Sequence, residues 1–286
     1  MTHPVTGIDH CFALVGDLEH AAEQYKALGF TLSPRGTHSP SKGTANYTIM
    51  FPRDYFELLG ILSPTDLNAP RRKMLAERGQ GLHAIACRID DAENAAAALA
   101  DLGIPTKDLG SFARPVTLPD GTEAEAAFST VSFCQDDTPL GIVFMCQHKT
   151  RETVWIKELL DHPNTACGLD AILAISEAAS DDAASLARLW AKGEVTSQDG
   201  WLKVHTGPQS APVILATKDA FAKAYPDFDL TNTAKGAFAG LRVKVGNLNK
   251  LKDCLAAANV PNSSTALGVA VAPEDAAGVM MEFVTA

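Results

Sequence analysis

The chain has 286 residues, enough for one large or two ordinary domains with a buried core. It is 46% hydrophobic and 20% charged, with a formal net charge of −10 and a pI near 5.2. That balance excludes the basic face a nucleic-acid backbone requires, and it excludes a polybasic membrane anchor.

No apolar run approaches the ~18 residues of a membrane-spanning helix. The opening MTHPVTGIDH lacks the basic-then-apolar pattern of a secretory signal, so a cytoplasmic location is expected. Six scattered cysteines form no CxxC pair and read as reduced core residues.

Four segments open on glycine and an apolar strand: GIDHCFALV from Gly7, GLHAIACRID from Gly81, GLDAILAIS from Gly168 and GLRVKVGN from Gly240. The glycines are spaced 74, 87 and 72 residues apart. Each strand leads to a helix whose expected N-caps are Asp17, Asp91, Asp181 and Asn247. The helices are expected to end at Gly29, Gly103, Gly193 and Asn259, residues that tolerate a left-handed cap. Each unit closes on a further strand, as in YFELLGIL and LGIVFMCQ. The expected fold class is α+β, with four tandem βαβββ modules grouped as two domains. The N-terminal domain spans 1–150 and the second 167–286, with the polar, proline-containing segment 151–166 as linker. Long polar insertions at 33–44, 63–80 and 105–127 are of a length usually reserved for functional or mobile loops.

His10 and His83 follow the first two strand-opening glycines by three and two residues. If these strands pair across a pseudo-twofold axis, both imidazoles face one cleft. Glu57 interrupts an apolar strand, where an unpaired charge would be costly. Two histidines and a carboxylate are the ligand set of a catalytic divalent ion with open positions, whether Fe(II), Zn, Ni or Mn. His10, Glu57 and His83 are therefore the expected metal ligands, with Gln147 beside them. The Gly-rich loop RGTHSPSKGTAN holds Arg35, His38, Lys42 and Asn46, suited to a carboxylate or phenolic oxygen. His38 is its expected proton donor or third imidazole. Arg114, in SFARPVTLPDG, could lean over the same cleft to an anionic substrate. In the second half, Asp170 and Arg242 stand where His10 and His83 stand in the first. Glu282 repeats Glu57 without a histidine, so the second half is expected to be structural.

The phrases GIDHCFALVGDLEHAAEQYKALGF, RGTHSPSKGTANYTIMF, YFELLGI and FMCQHKTRETVW resemble the glyoxalase-like domain family of the vicinal oxygen chelate superfamily. The resemblance covers most of residues 7–165 and extends to the second half in outline. The superfamily includes glyoxalase I, extradiol dioxygenases and bleomycin-resistance proteins. It implies a metal held by a His or Gln on the first strand and a Glu on the last strand of each module. Those places would fall to His10 and Glu57, and to His83 and Gln147. The implied activity is metal-dependent isomerase or lyase action on a small vicinal-oxygen substrate, with Glu57 and His38 catalytic. Arg35, Asn46, Arg114 and Gln147 would bind the substrate. Gln147 departs from the pattern, because an amide cannot act as a general base. The alternatives are an Fe(II) ring-cleaving dioxygenase and a metal-free small-molecule binding protein. The expected partner is a small molecule, without nucleic acid or membrane, and a homodimer is compatible with the sequence.

Overall fold

The computed structural model of the chain describes residues 2–286. The first module runs β1 (Ile8–Val15), α1 (Leu18–Ala27), β2 (Gly36–Thr37), β3 (Thr44–Met50) and β4 (Tyr55–Ile61). Helix α2 (Ala69–Arg78) follows, and then the second module: β5 (Gly81–Arg88), α3 (Ala92–Asp101), β6 (Thr106–Thr117), β7 (Glu123–Phe133) and β8 (Ile142–His148). The third module is β9 (Ala166–Ile175), α4 (Ala179–Ala187), β10 (Val195–Gln198), β11 (Trp201–Val204) and β12 (Val213–Ala216). Helix α5 (Lys218–Ala224) occupies the place of α2. The fourth module is β13 (Gly240–Val245), α6 (Leu248–Ala257), β14 (Ser263–Ser264), β15 (Gly268–Val271) and β16 (Met280–Thr285). All four modules are βαβββ, as the glycine-strand-helix pattern predicts.

The modules pair into two eight-stranded sheets, ordered β2-β3-β4-β1-β5-β8-β7-β6 and β10-β11-β12-β9-β13-β16-β15-β14. In each sheet the two opening strands run antiparallel side by side, β1 with β5 and β9 with β13. That central pairing puts the two modules of a sheet back to back and leaves a concave face over the junction.

Local chemistry explains the helix ends. Asp17, Asp91 and Asn247 accept backbone N–H groups of the first helical turn, as expected of N-caps. Asp181 does not cap: α4 starts two residues before it, and Ser176 with Asp182 organises the entry instead. Gly29, Gly103 and Asn259 take left-handed conformations just past their helices. Gly193 lies six residues beyond the end of α4 and is no cap.

One hydrophobic core runs through both sheets and includes Tyr25, Phe30, Phe56 and Leu82 with Phe238, Leu241, Met281 and Phe283. The Tyr25 hydroxyl donates to the Ala276 carbonyl, and Phe30 packs on Phe283 with ring centroids 5.9 Å apart. Gly81 meets the second domain so closely that a Cβ there would lie 2.7 Å from the Gly278 carbonyl oxygen. The segment between the sheets is not a free tether. Trp155 donates to the Phe51 carbonyl, and buried His162 bonds Met50 and Thr31.

Candidate active site

The concave face of the first sheet encloses a cavity of about 720 Å³, a volume suited to a small-molecule ligand. Strand alternation decides what enters it. His10, Phe12, Tyr55, Glu57, Phe144 and Cys146 point in from the central strands. Thr44, Asn46 and Thr48 enter from β3, His38 and Lys42 from the loop before it, Phe112 and Arg114 from β6, and Arg71 from α2.

His10 and Glu57 are the polar centre. Both are largely withdrawn from solvent, and His10 Nε2 lies 3.9 Å from Glu57 Oε2. Each is pinned by its other polar atom. His10 Nδ1 is 2.8 Å from Asp9 Oδ2, and Glu57 Oε1 accepts from Asn46 Nδ2 at 2.8 Å. Tyr55 stacks on the imidazole at 4.3 Å. A carboxylate can only accept, so His10 Nδ1 carries a proton, and its Nε2 faces Glu57 and the cavity.

Asp9 is buried behind this pair. His148 Nε2 donates to the same Oδ2 at 2.9 Å. Burial works to raise the Asp9 carboxyl, but the two imidazole bonds outweigh it and hold the group below the usual carboxylate range. Asp9, His10, Cys146 and His148 bring one ligand-type atom each within 4.8 Å of one another, a set able to hold a metal ion. Hydrogen bonds join Asp9, His10 and His148 within it. Burial raises the Cys146 thiol.

His38 and Lys42 share the opposite rim. Burial holds the His38 imidazole down to about 4; Glu57 opposes this, and the cations Lys42, Arg114 and Arg71 add to it. His38 is therefore neutral at ordinary pH, with Nδ1 paired to Thr44 Oγ1 at 2.7 Å. Burial and the neighbouring Arg71 lower the Lys42 ammonium to about 8. Its head group sits over the Phe112 ring, 3.2 Å from the centroid.

Of the residues expected from the sequence, His10, Glu57, His38, Asn46 and Arg114 share this cavity. His83, Gln147 and Arg35 do not line it. His83 sits at an irregularity between β1 and β5, where Leu82 and Ala84 pair with adjacent residues. Its Nε2 bonds the Gly79 carbonyl at 2.8 Å, and the side chain is buried away from the cleft. Gln147 lies one residue out of phase with the inward-facing Phe144 and Cys146, which turns it to the helix side. There it accepts from the Ala92 N–H at 3.2 Å. Arg35 pairs with Glu19 at the exposed surface, 3.0 Å away.

The register identifies the true counterparts of His10 and Glu57 in module two. The 74-residue glycine spacing carries His10 to Ala84. Glu57 pairs with Phe12 as Phe144 pairs with Ala86, which carries Glu57 to Phe144. Both counterparts are hydrocarbon. The donor set thus does not fit the four-position chelate that the resemblance implies; it supplies two ligands from one module.

Sequence reasoning passed over Asp9, His148 and Arg71, whereas Lys42 stands among the candidate residues of its loop and does line the cavity. Asp9 offered one signal, a carboxylate next to His10 within an apolar strand. A bulge at Asp9, between the paired Ile8 and His10, brings both side chains into contact.

The sequence matches the glyoxalase-like domain family over residues 8–192. A hypothetical protein from Staphylococcus aureus is similar in structure over 98% of this chain and 99% of its own, with a TM-score of 0.69 and 12% identity. A variant of homoprotocatechuate 2,3-dioxygenase from Brevibacterium fuscum is similar over 100% of this chain and 72% of its own, with a TM-score of 0.59 and 13% identity. At these identities the likeness is one of fold: the two-domain vicinal oxygen chelate architecture. No curated protein sequence matches the chain.

Proposed function

Because the chain belongs to the glyoxalase-like domain family, we propose that it is an enzyme that isomerises or eliminates from a small oxygenated substrate, with His10 as the proton carrier. The observation that carries this reading is the His10–Glu57 pair. Its two free atoms face each other 3.9 Å apart across the floor of a ligand-sized cavity, each side chain fixed by a partner.

In this reading His10 Nε2 takes a proton from the substrate carbon beside a carbonyl. The released electron pair moves onto the carbonyl oxygen. Asp9 and Glu57 stabilise the imidazolium that forms. Where the first carbon bears a hydroxyl, that hydroxyl's proton passes to the former carbonyl oxygen and the imidazolium returns its proton to the neighbouring carbon, which isomerises the substrate. Alternatively the enolate expels a β-substituent, which takes the proton from the imidazolium as it leaves. Neutral His38 and Asn46 orient substrate oxygens, and Arg114 holds an anionic end. Arg35 and Gln147 have no place in this scheme, since neither reaches the cavity.

A second reading has one specific support. His10 Nε2 and Glu57 Oε2 are both free and both backed by a second partner, as metal ligands are. A divalent ion there would supply Lewis-acid chemistry, and a dioxygenase would need iron. The hydrocarbon side chains of Ala84 and Phe144 count against it. The deciding experiment assays purified protein for metal and for turnover of α-hydroxycarbonyl compounds, before and after chelation. Metal-independent turnover lost in His10→Gln supports the acid–base reading. Turnover that requires a stoichiometric metal overturns it for the metal reading. Ligand binding without turnover makes the protein a binding module.

A further inference from the structure

The cavity carries a charge arrangement that proton transfer does not use. Lys42, Arg71 and Arg114 all face it, from three separate elements. Among the described residues, none of the three has a carboxylate within 4.0 Å, and none has a side-chain hydrogen bond to another group. The other arginine of the same loop, Arg35, is neutralised by Glu19 outside the cavity. The cavity's two carboxylates are Glu57, whose Oε1 is engaged by Asn46, and Asp108, which pairs with none of the three cations.

Unpaired cations crowded around one cavity repel each other, and the lowered Lys42 ammonium expresses that cost together with its burial. A chain of net charge −10 has ample carboxylate to neutralise them and does not do so. The arrangement is held deliberately by the backbone. The Lys42 carbonyl accepts from Asn68 Nδ2 at 2.9 Å, which ties the Lys42 loop to the start of α2, the helix that brings Arg71. Gly36 is bare where a Cβ would lie 3.0 Å from the Arg114 guanidinium carbon, so glycine leaves that side chain room to enter. Phe12, Leu59 and Phe144 give the same cavity an apolar wall, clustered with Ala84 and with Met74 and Leu75 of α2.

We infer that the substrate is an organic acid: an oxyanion held by Lys42, Arg71 and Arg114, on an apolar body that lies against Phe12 and Phe144. The inference rests on this cleft being the substrate site, and it assigns Lys42 and Arg71 as specificity residues beside Arg114. Guanidinium groups grip carboxylate and phosphate alike, so the shared chemistry is an oxyanion. The apolar wall separates an organic acid from a bare inorganic ion.

The test is calorimetric binding of benzoate, phenyl phosphate, benzamide and inorganic phosphate to the full chain. Benzoate or phenyl phosphate is expected to bind at least ~10-fold more tightly than the isosteric neutral benzamide, as the loss of charge-assisted bonds dictates. Whichever of the two binds better names the oxyanion. Lys42→Gln, Arg71→Gln and Arg114→Gln should each weaken the acid ~3- to 10-fold and leave benzamide unchanged. Arg71 is on an exposed helix face, so its variant reports even if another fails to fold. Arg35→Gln should change nothing. Equal binding of acid and amide overturns the inference, as does inorganic phosphate binding as tightly as phenyl phosphate, or acid binding unmoved by the three variants. Selective acid binding without turnover would sink the catalytic reading and leave this one standing. Turnover of a neutral substrate, indifferent to the three variants, would do the reverse.

Discussion

The two domains place a glutamate in the same kind of strand and treat it in opposite ways. Glu57 on β4 accepts one hydrogen bond, from Asn46, and keeps an oxygen free toward a cavity. Glu282 on β16 is closed off. Arg242, its register partner on β13, lies 2.6 Å away; the Tyr225 hydroxyl donates to it at 2.9 Å and the Thr265 hydroxyl at 2.7 Å. The covering helices differ in the same sense. Helix α2 buries no residue fully: Met74 and Leu75 pack beside Phe12 and Leu59, and Pro70 and Arg71 line the cavity that remains. Helix α5 drives Phe221 into the corresponding face, and Tyr225 follows just past its end, packed with Trp201 and Met280. A buried carboxylate with all its partners is structural; one with a partner missing is available for chemistry.

The same substitution in both domains gives the largest contrast. Glu57→Gln should lower turnover ~10²- to 10³-fold, the usual worth of one group that stabilises charge formed in the reaction, here the His10 imidazolium. Its stability should move by less than ~1 kcal/mol, because the amide oxygen still accepts from Asn46. Glu282→Gln should leave turnover per folded molecule intact and cost about 2–3 kcal/mol in urea unfolding, since the partly buried Arg242 keeps only Asp170, 3.9 Å away, as a counter-charge. Equal costs in the two domains would erase the distinction.

Asp54 tests the seam between the domains. It is buried on the first, and Oδ1 accepts the Leu169 N–H of β9 at 3.1 Å. Burial pushes its carboxyl up to about 6, against an ordinary value of 3.8, with the Leu169 bond opposing. The folded chain therefore holds this proton more tightly than the unfolded chain. The stability it contributes is full below pH ~4 and is lost as pH rises through ~6. Asp54→Asn keeps the acceptor and removes the titration. It should gain about 2–3 kcal/mol at pH 7.5 and nothing at pH 4, compared by denaturant melts at both pH values.

The smallest effect expected is from Tyr225→Phe. It deletes one of three groups on Glu282 and should cost about 1–2 kcal/mol of stability. A loss as large as that of Glu282→Gln would mean that Tyr225, rather than Arg242, anchors the closed site.

The fold was legible because three of the four modules carry a full set of short-range signals, a glycine, an apolar strand, a capping Asp or Asn, and a left-handed Gly or Asn, while the third keeps the glycine and the strand. The site was legible by halves, for a reason of parity. Glu57 and His10 stand out because polar groups in apolar strands need partners. His83 and Gln147 stand out equally, yet each is one residue out of phase: His83 stands two residues past its glycine where His10 stands three, and Gln147 is an odd offset from the inward-facing Phe144 and Cys146. Arg71 was hidden differently. In sequence it is an ordinary charge in a polar stretch, and only the cavity shows it beside Lys42 and Arg114.

The bonds from α1 to the second domain have a consequence for dilution. Tyr25 donates to the Ala276 carbonyl, and Gln24 bonds both Glu274 and Ala277. A surface that had to be recruited from another molecule would fall away as the protein is diluted. Here it arrives on the same chain, so its effective concentration is set by covalent connection. The backing behind β1, and with it the aim of His10, should hold at nanomolar protein as it does at micromolar.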